Sequence, residues 1–280
     1  MTPSLGYYLG LPAWAYPGWA GSYFPDTGNT LANYASVFNT VEGNTTFYRI
    51  PEVADVSRWA RAVGGTQFRF SFKLPRQVTH QHRPDRAALR QFFDVLMPLG
   101  DHLGPFLVQC PATLGPRELP ALEALFGQLP MSCRYALEVR HLAFFEQPER
   151  LEPLLEQTGA GRVMFDSRPI YHEDTQHPEV LAARHKKPDV PLLDTVYNDL
   201  VYARVVLHPD PDLNTLYSQQ WTDRCTNYLV NGYELYFMMH CPNNQHCPQF
   251  AADFHRELST QQTGVQPLPP WPLPQQNSLF

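Results

Sequence analysis

The stretch that decides the fold is FNTVEGNTTFYRIP, residues 38–51. It begins with a short β-type run, and Glu42 stands where that run ends, before a glycine and a polar, aromatic turn. A catalytic loop in an α/β protein commonly begins where a buried strand ends at a carboxylate. An ordinary strand followed by a surface turn is the alternative. We favour function because Asn44, Tyr48 and Arg49 share this one short loop with Glu42.

The composition of the whole chain is that of a globular protein. It has 280 residues, 43% of them hydrophobic, and a formal net charge of −6 at pH 7. Such a surface is not built as a whole to hold a polyanion, although a local basic groove stays compatible with DNA or RNA. The five cysteines form no disulfide framework, and neither a signal peptide nor a membrane-length apolar stretch is visible. We therefore expect a soluble cytoplasmic protein with free thiols and no membrane contact.

Short apolar runs that are typical of strands alternate with helical patterns along the chain. Eight such β-α units in about 260 residues fit a single closed parallel barrel. An open doubly wound sheet is the alternative, but no Gly-x-Gly-x-x-Gly fingerprint or phosphate loop supports it. We predict an α/β protein whose (β/α)8 TIM barrel is formed by residues 1–262. The predicted strands are residues 7–10, 38–41, 68–73, 105–109, 135–139, 163–165, 200–207 and 233–239.

Two segments do not follow this alternation. Residues 168–198 are rich in proline, histidine and charge, which predicts an irregular insertion that is either a lid or a surface excursion. Residues 264–274 are rich in proline, so residues 263–280 are predicted to form a tail or linker outside the barrel. Elsewhere, apolar residues at helical spacing predict helices. These are residues 31–38, 53–63, 84–97, 116–129, 148–157, 218–231 and 248–260.

Polar side chains stand at or just after the ends of most predicted strands. The carboxyl ends of the strands of a parallel barrel meet at one mouth, which is where such folds bind substrates. Acids, cations and an amide at one mouth suit acid-base catalysis or the binding of an anion. An internal salt-bridge network that serves only the fold is the alternative. The residues are Glu42, Lys73, Gln109, Glu138, Arg140, Asp166, Arg204 and His240.

Three loops add further groups. Residues 73–83 carry several cations and histidines, among them His80, and either hold a phosphate or carboxylate or form a solvated basic loop. Residues 10–19 form an aromatic loop with too much proline and glycine for a helix or strand. The pattern His-Cys-x4-His-Cys at residues 240–247 has the ligand types of a zinc site. Its spacing differs from that of a standard zinc finger, so we favour a turn with incidental cysteines.

Several motifs together resemble the YecE-like proteins, the DUF72 family of bacterial and archaeal proteins. They cover nearly the whole chain, and the block FNTVEGNTTFY at residues 38–48 is the most specific. The resemblance implies a TIM barrel and does not imply a reaction. The other motifs are Trp14-x-Tyr16-Pro17-x-Trp19, Phe70-x-x-Lys73-x-Pro75-x-x-Val78-Thr79-His80, Leu103-Gly104-Pro105, Gln109-x-Pro111, Glu138-x-Arg140-His141, Asp166-Ser167 and Tyr202-x-Arg204.

The chain departs from the family pattern at three places. Leu11-Pro12-Ala13 stands where the family has Thr-Ser-Gly, and His240-Cys241-Pro242 stands where it has Asn-Asn-Asp. Val206 stands where the family has a histidine, unless His208 replaces it. These changes weaken any role that the last two strands carry in the family.

The last five residues, QNSLF at 276–280, resemble the peptide by which bacterial replication and repair proteins bind the sliding clamp. Gln276 matches the position that hydrogen-bonds at the rim of the clamp pocket, and Leu279 and Phe280 match the positions that fill it. The proline-rich segment would present the peptide away from the barrel. A chance match in an unstructured tail is the alternative.

These features predict a DNA-associated hydrolase that acts on DNA or a nucleotide-derived substrate and is recruited by the sliding clamp. Glu42 or Glu138 would be the base or a ligand of a divalent metal, and Asp166 a second ligand or acid. Lys73, His80 and Arg140 would hold a phosphate. The alternatives are a small-metabolite lyase or isomerase that grips an anion with these residues, and a binding module without catalysis. Base-stacking and other substrate contacts would come from Trp14, Tyr16, Trp19, Asn44, Tyr48, Gln109 and Arg204.

Overall fold

Eight parallel strands form the centre of the protein. Its structure, a computed structural model, describes residues 6–81, 83–172 and 175–273. Every strand that the sequence predicts is present within a few residues of its predicted position, because each is a short apolar run between polar loops. The strands are β1 (Tyr7–Leu11), β2 (Thr40–Gly43), β3 (Arg69–Phe72), β4 (Phe106–Gln109), β5 (Tyr135–Glu138), β6 (Gly161–Asp166), β7 (Leu200–Val206) and β8 (Glu234–His240).

The strands close into a barrel. They are hydrogen-bonded in the order β3-β2-β1-β8-β7-β6-β5-β4, so the first strand and the last are neighbours. Two single parallel bridges, Phe70 to Leu103 and Lys73 to Leu107, bring β3 against the chain that forms β4. The predicted α/β TIM barrel is therefore confirmed.

Side chains fill the interior of the barrel. Ser71 on β3 and Tyr202 on β7 lie on strands that are not neighbours, yet their hydroxyl oxygens are 2.7 Å apart. Such a contact crosses the interior, so these residues and their alternate neighbours along each strand point inward. Val163 and Met238 belong to the same inner apolar cluster as Tyr202. Near the carboxyl ends of β2, β4, β5, β7 and β8, inward positions carry polar residues, and these form the candidate site.

Helices surround the barrel, and their apolar sides pack on outward-facing strand residues. Phe254 of the last helix stacks on Phe237 of β8 with ring centroids 4.3 Å apart. No helix in the described ranges is long and apolar enough to cross a membrane. The helices are α1 (Thr30–Ala35), α2 (Val53–Val63), α3 (Arg76–Thr79), α4 (Arg86–Leu96), α5 (Leu119–Phe126), α6 (Ala143–Glu146), α7 (Glu152–Thr158), α8 (Arg168–Tyr171), α9 (Pro178–Arg184), α10 (Thr215–Val230) and α11 (Cys247–Gln261).

The insertion at residues 168–198 is less irregular than the sequence indicates, since α8 and α9 lie within it. Ile170 and Val180 are buried in one apolar cluster with Val206 and Met238 of the barrel interior. The few apolar residues of the insertion therefore share the barrel's core, which is why they form helices despite the polar surroundings. Through these two residues the insertion packs on the inner side chains of Val206 and Met238, near the carboxyl ends of β7 and β8.

The proline-rich segment after α11 lies against the barrel as far as the structure describes it. Val265 is buried, and the carbonyl oxygen of Gln266 is 2.8 Å from Nε2 of His255. The Trp271 ring packs edge-on against Phe24 at a centroid distance of 5.7 Å, and it also contacts Tyr23 and Phe38. The segment forms neither helix nor strand, as predicted, but its apolar side chains hold it on the barrel. Residues 276–280 lie outside the described residues.

We expect Trp271→Ala to lower the free energy of unfolding by about 2 kcal/mol, because it removes a partly buried aromatic side chain from three ring contacts. Urea unfolding followed by circular dichroism measures the change. Met131→Ala is the control, since Met131 is fully exposed and its loss should change stability by less than about 0.5 kcal/mol. Equal stability of the two variants would show that the segment is not held by Trp271.

Candidate active site

One arginine joins two carboxylates across the mouth of the barrel. Arg204 extends inward from β7, and its Nε and Nη2 atoms donate hydrogen bonds of 2.6 and 2.7 Å to the two carboxylate oxygens of Glu42 on β2. Its Nη1 atom donates to Oε2 of Glu138 on β5. All three side chains are buried. The guanidinium therefore uses its planar fork to bind two acids from opposite sides of the barrel.

The chain around Glu42 is shaped for this position. Gly43 follows because a β-carbon there would lie 2.5 Å from the ring of Phe72 on the neighbouring strand. The backbone then turns at once, so that the amide of Asn44 donates to Glu42 at 2.7 Å and to the carbonyl oxygen of Pro12 at 3.1 Å. The Glu-Gly-Asn sequence thus places the carboxylate of Glu42 and the amide of Asn44 side by side at the mouth of the barrel.

Arg140 provides a second cation for Glu138. Its Nε donates to Oε1 of Glu138 at 2.6 Å, and its guanidinium lies 5.9 Å from the centre of the Phe165 ring. The side chain of Arg140 is 16% exposed, whereas that of Arg204 is 3% exposed. Arg140 therefore reaches the solvent side of the network. Gln109 is buried beside Glu138 because β4 and β5 pair these two residues.

The arginines keep both buried acids ionised. Burial raises the pKa of Glu42, but the nearby charge of Arg204 outweighs it and holds that pKa well below its usual value. Burial opposes ionisation of Glu138 in the same way, and Arg204, Arg140 and Lys73 lower its pKa to about 2. The two carboxylates in turn raise the pKa of Arg204 despite its burial. The network is a charged one at neutral pH.

Lys73 and His80 lie on the adjacent side of the mouth. The Nζ atom of Lys73 is 3.8 Å from the centre of the Phe47 ring, and the ring of His80 packs edge-on against the same phenylalanine. Burial, together with the charge of Arg204, lowers the pKa of Lys73 to about 7. Burial and the charge of Lys73 lower the pKa of His80 to about 4. At neutral pH, His80 is uncharged and Lys73 is divided between its two forms.

Lys187 is a site residue that the sequence analysis missed. It lies at the end of the α9 segment, where its carbonyl oxygen accepts a hydrogen bond of 2.7 Å from the hydroxyl of Tyr171. Burial, together with the charge of Arg204, lowers its pKa to about 8. The chain contains only three lysines, Lys73, Lys186 and Lys187. That scarcity, with an adjacent pair inside the insertion, was the signal available in the sequence.

His240 completes the inner face. The sequence places it among the polar residues at the strand ends but gives it no catalytic or binding role. Its Nε2 atom lies 3.6 Å from Oε2 of Glu42 without a hydrogen-bond partner among the described residues. Burial lowers its pKa to about 4, although Glu42 opposes this. It is a neutral imidazole at neutral pH.

Asp166 does not join this group. It follows Phe165, which faces inward, so its own side chain points to the helical layer. There it accepts hydrogen bonds from the indole of Trp221 at 2.7 Å and from the guanidinium of Arg168 at 2.8 and 2.9 Å. These contacts fix the start of α8 against α10, which is a structural role.

The aromatic residues assigned to substrate stacking are dispersed. Trp14 packs on Trp59 of α2 at a centroid distance of 5.3 Å, outside the barrel wall. Trp19 is buried against Tyr16, and its indole donates to the carbonyl oxygen of Asn244 at 2.9 Å. Tyr48 is 78% exposed and lies beside Phe47. Of this set, only Tyr48 presents its ring to solvent near the mouth.

The described residues do not offer a suitable place for a divalent metal. In that part of the chain, no group of three or more His, Cys, Asp or Glu side chains is arranged to hold one. Glu42 and Glu138 are already bound by Arg204, Arg140 and Asn44, so their oxygens do not fit the role of open ligands. Cys241 and Cys247 are buried free thiols whose sulfurs are 3.2 Å apart.

The fold and the site define the class of protein. It is a (β/α)8 barrel with a charged candidate site at the carboxyl ends of its strands. Comparison with known proteins gives the family. The model of the family described as "Protein of unknown function DUF72" matches residues 8–276. The UPF0759 protein YecE of Escherichia coli strain K12 is 35% identical over 286 residues, covering 98% of this chain and 99% of YecE. The chain belongs to the DUF72 family.

Solved structures of two family members share the fold. A DUF72 family protein from Thermotoga maritima MSB8 aligns with a TM-score of 0.65 at 19% identity, over 90% of this chain and 98% of that one. A DUF72 family protein from Enterococcus faecalis V583 aligns with a TM-score of 0.64 at 19% identity, over 91% and 96% of the two chains. At this identity the likeness extends to the fold alone.

We expect Arg204→Met to lower the free energy of unfolding by about 3–5 kcal/mol at pH 7, because two buried carboxylates lose their shared cation. The stability that Glu138 contributes through its lowered pKa is present above about pH 4.5 and is lost as the pH falls towards 2. The difference between wild type and variant should therefore narrow over that range. Urea unfolding at a series of pH values measures both effects.

The control for this experiment is the triple variant Glu42→Gln, Glu138→Gln, Arg204→Met. It removes the two negative charges together with the cation, so much of the lost stability should return at pH 7. A single Arg204→Met variant as stable as the wild type would contradict a buried charge network.

Proposed function

We propose that the protein is a barrel enzyme of the lyase or isomerase type that binds a small anionic substrate at the mouth described above. The observation that carries this proposal is a surplus of cations. Arg204, Arg140, Lys73 and Lys187 surround only two carboxylates, and Arg204 is already engaged by both. An arriving anion would compensate the remaining positive charge.

The arrangement of the mouth supports a small substrate. Ile170 and Val180 of the insertion pack into the interior cluster, so the insertion lies over the side of the mouth formed by β7 and β8. The backbone beside Lys187 also contacts the network, since Nη1 of Arg140 is 3.4 Å from the carbonyl oxygen of Lys186. Charged groups that are shielded from water in this way make stronger electrostatic contacts with a bound anion.

The hydrolase hypothesis for DNA receives less support from the geometry. It uses Glu42, Glu138 and Asp166 as ligands or acids, whereas the first two are bound to arginines and the third faces the helical layer. The aromatic side chains expected to stack on a base are also mostly packed inside the protein. Among the described residues, no contact favours a polynucleotide over a small anion.

We expect phosphoglycolate, which carries both a carboxylate and a phosphate, to bind with 1:1 stoichiometry in isothermal titration calorimetry. Affinity should fall as the pH rises from 6 to 9, because the cationic form of Lys73, with its pKa of about 7, is lost. Arg140→Met should weaken binding by about tenfold to a hundredfold, the range for a lost hydrogen bond to a charged group.

Arg90→Met is the matched control, since Arg90 is exposed on the outer helix α4 and its loss should leave the affinity unchanged. If both variants lose affinity for phosphoglycolate equally, the loss is due to the overall charge of the protein and not to a site at Arg140. Absence of binding by phosphoglycolate, inorganic phosphate and pyruvate alike would contradict an anion site. Magnesium-dependent cleavage of a supercoiled plasmid that Glu138→Gln abolishes would instead favour the hydrolase.

We further propose that the peptide at residues 276–280 binds a bacterial sliding clamp. The support is the match of Gln276, Leu279 and Phe280 to the clamp-binding pattern. Because Trp271 packs on the barrel, the peptide follows closely after an anchored residue. Such a partner would bring the barrel to DNA without requiring that the mouth itself bind DNA.

We expect micromolar binding of the full chain to an immobilised bacterial clamp in surface plasmon resonance. Replacement of Leu279 and Phe280 by alanine should abolish it, because these side chains would fill the apolar pocket. Asn277→Ala is the control, since that position of the pattern is variable. No binding by the unaltered chain would disprove the clamp proposal and leave the anion site untouched.

A further inference from the structure

The backbone fixes Lys73 with its side chain in the mouth. Lys73 follows β3, and its side chain has the same inward direction as Ser71. Its amide donates to the carbonyl oxygen of Gly43 at 3.4 Å, and its carbonyl oxygen accepts a hydrogen bond of 2.6 Å from the hydroxyl of Thr46. Anchored between β2 and β4, this lysine is 7% exposed and has little freedom to turn away.

The amine of Lys73 has an unusual environment. Within the described ranges it forms no ion pair, and it lies against the face of the Phe47 ring. The two acids of the mouth are occupied by Arg204 and Arg140, so the amine lies near carboxylates without being bound by one. An amine that is desolvated beside other cations is the setting in which lysine becomes a nucleophile.

We propose that Lys73 forms a covalent imine with the aldehyde or ketone carbonyl of a substrate that also carries a carboxylate or phosphate. This inference deepens the proposed function and rests on it, since Arg140 and Lys187 would hold the anionic group. The cations of the mouth then have different roles, because Arg140 and Lys187 orient the substrate while the amine of Lys73 reacts with it.

The reaction is balanced without a further reagent. The neutral amine nitrogen attacks the carbonyl carbon, the carbon–oxygen π bond breaks, and a carbinolamine forms. Both hydrogens of the amine end on the oxygen, which leaves as water when the carbon–nitrogen double bond forms. Nothing is oxidised or reduced, and a proton taken up by the imine nitrogen gives an iminium that draws electrons from the neighbouring carbon.

Two features favour this chemistry at neutral pH. Because the pKa of Lys73 is about 7, roughly half of the amine is neutral there, whereas an ordinary lysine is almost entirely protonated. His80 is neutral at the same pH and packs on the same phenylalanine, so an uncharged imidazole lies beside the amine. Its Nδ1 is 2.8 Å from the hydroxyl of Thr79, so the other ring nitrogen, Nε2, is the one we assign to proton exchange in this proposal.

The test is reductive trapping on the full-length chain. Pyruvate and dihydroxyacetone phosphate serve as carboxylate- and phosphate-bearing probes, and acetone serves as the uncharged carbonyl. Each is incubated with sodium cyanoborohydride at pH 7, and intact mass and peptide mapping locate the secondary amine formed. Because the chain has only three lysines, the wild-type protein alone identifies the reacting residue.

We expect one adduct per chain on Lys73, formed at least about tenfold faster than on Lys186, because a low pKa leaves more of the neutral nucleophile. Labelling by one or both anionic probes should exceed that by acetone by a similar factor, and the preferred probe identifies the anionic group. Excess phosphoglycolate should protect Lys73. Lys73→Arg, which keeps the cation, should abolish the adduct, and Lys186→Arg should not, since Lys186 is exposed.

Two outcomes would overturn the proposal. The first excludes only the imine, whereas the second also excludes the proposed anion site. Binding of phosphoglycolate without trapping at Lys73 would exclude the imine and leave the anion site intact. Labelling spread over Lys186, Lys187 and the terminal amine, without protection by phosphoglycolate, would exclude both the nucleophile and the anion site.

Discussion

The structure depends on one arginine that is shared by two buried acids. Arg204 fills the mouth of the barrel and binds Glu42 and Glu138 from strands on either side. Without it, two carboxylates would lie desolvated in the same cavity, which the interior of a protein does not tolerate. With it, the carboxyl ends of β2, β5 and β7 are held in fixed relative positions. Arg140 shares Glu138 with Arg204, so among the described residues Lys73 and Lys187 form no ion pair with an acid. The chemistry inferred for the site follows from that imbalance.

Sequence patterns predicted the barrel because periodicity is a property of neighbouring residues. Each strand was a short apolar run, and the inward groups stood at the ends of those runs, so Glu42, Lys73, Glu138, Arg140 and Arg204 could be named before their contacts were known. Asp166 shows the limit of this reasoning. A shift of one residue along a strand turns a side chain from the interior to the helical layer, and the last residue of a run gives no sign of which way it points.

The insertion and the tail could not be predicted in the same way, because what they contact is distant in sequence. The helices α8 and α9 exist because a few apolar residues meet the barrel interior, and Lys187 reaches the mouth only as a result of that packing. Trp271 is held by residues from the first part of the chain. The proline content of the segment after α11 correctly excluded helix and strand, but it gave no information about whether that segment packs on the barrel.

The pairing of β1 with β8 has a consequence for how the chain is made. Synthesis on the ribosome proceeds from the N-terminus. The partner of Glu42 is Arg204, which is made 162 residues later. Until β7 and β8 have been synthesised, one edge of β1 has no partner strand and the carboxylate of Glu42 remains hydrated. We therefore expect the nascent protein to remain an open sheet until β7 and β8 are available to close the barrel. A chain interrupted before β7 would be an aggregation-prone sheet with a free edge rather than a smaller barrel.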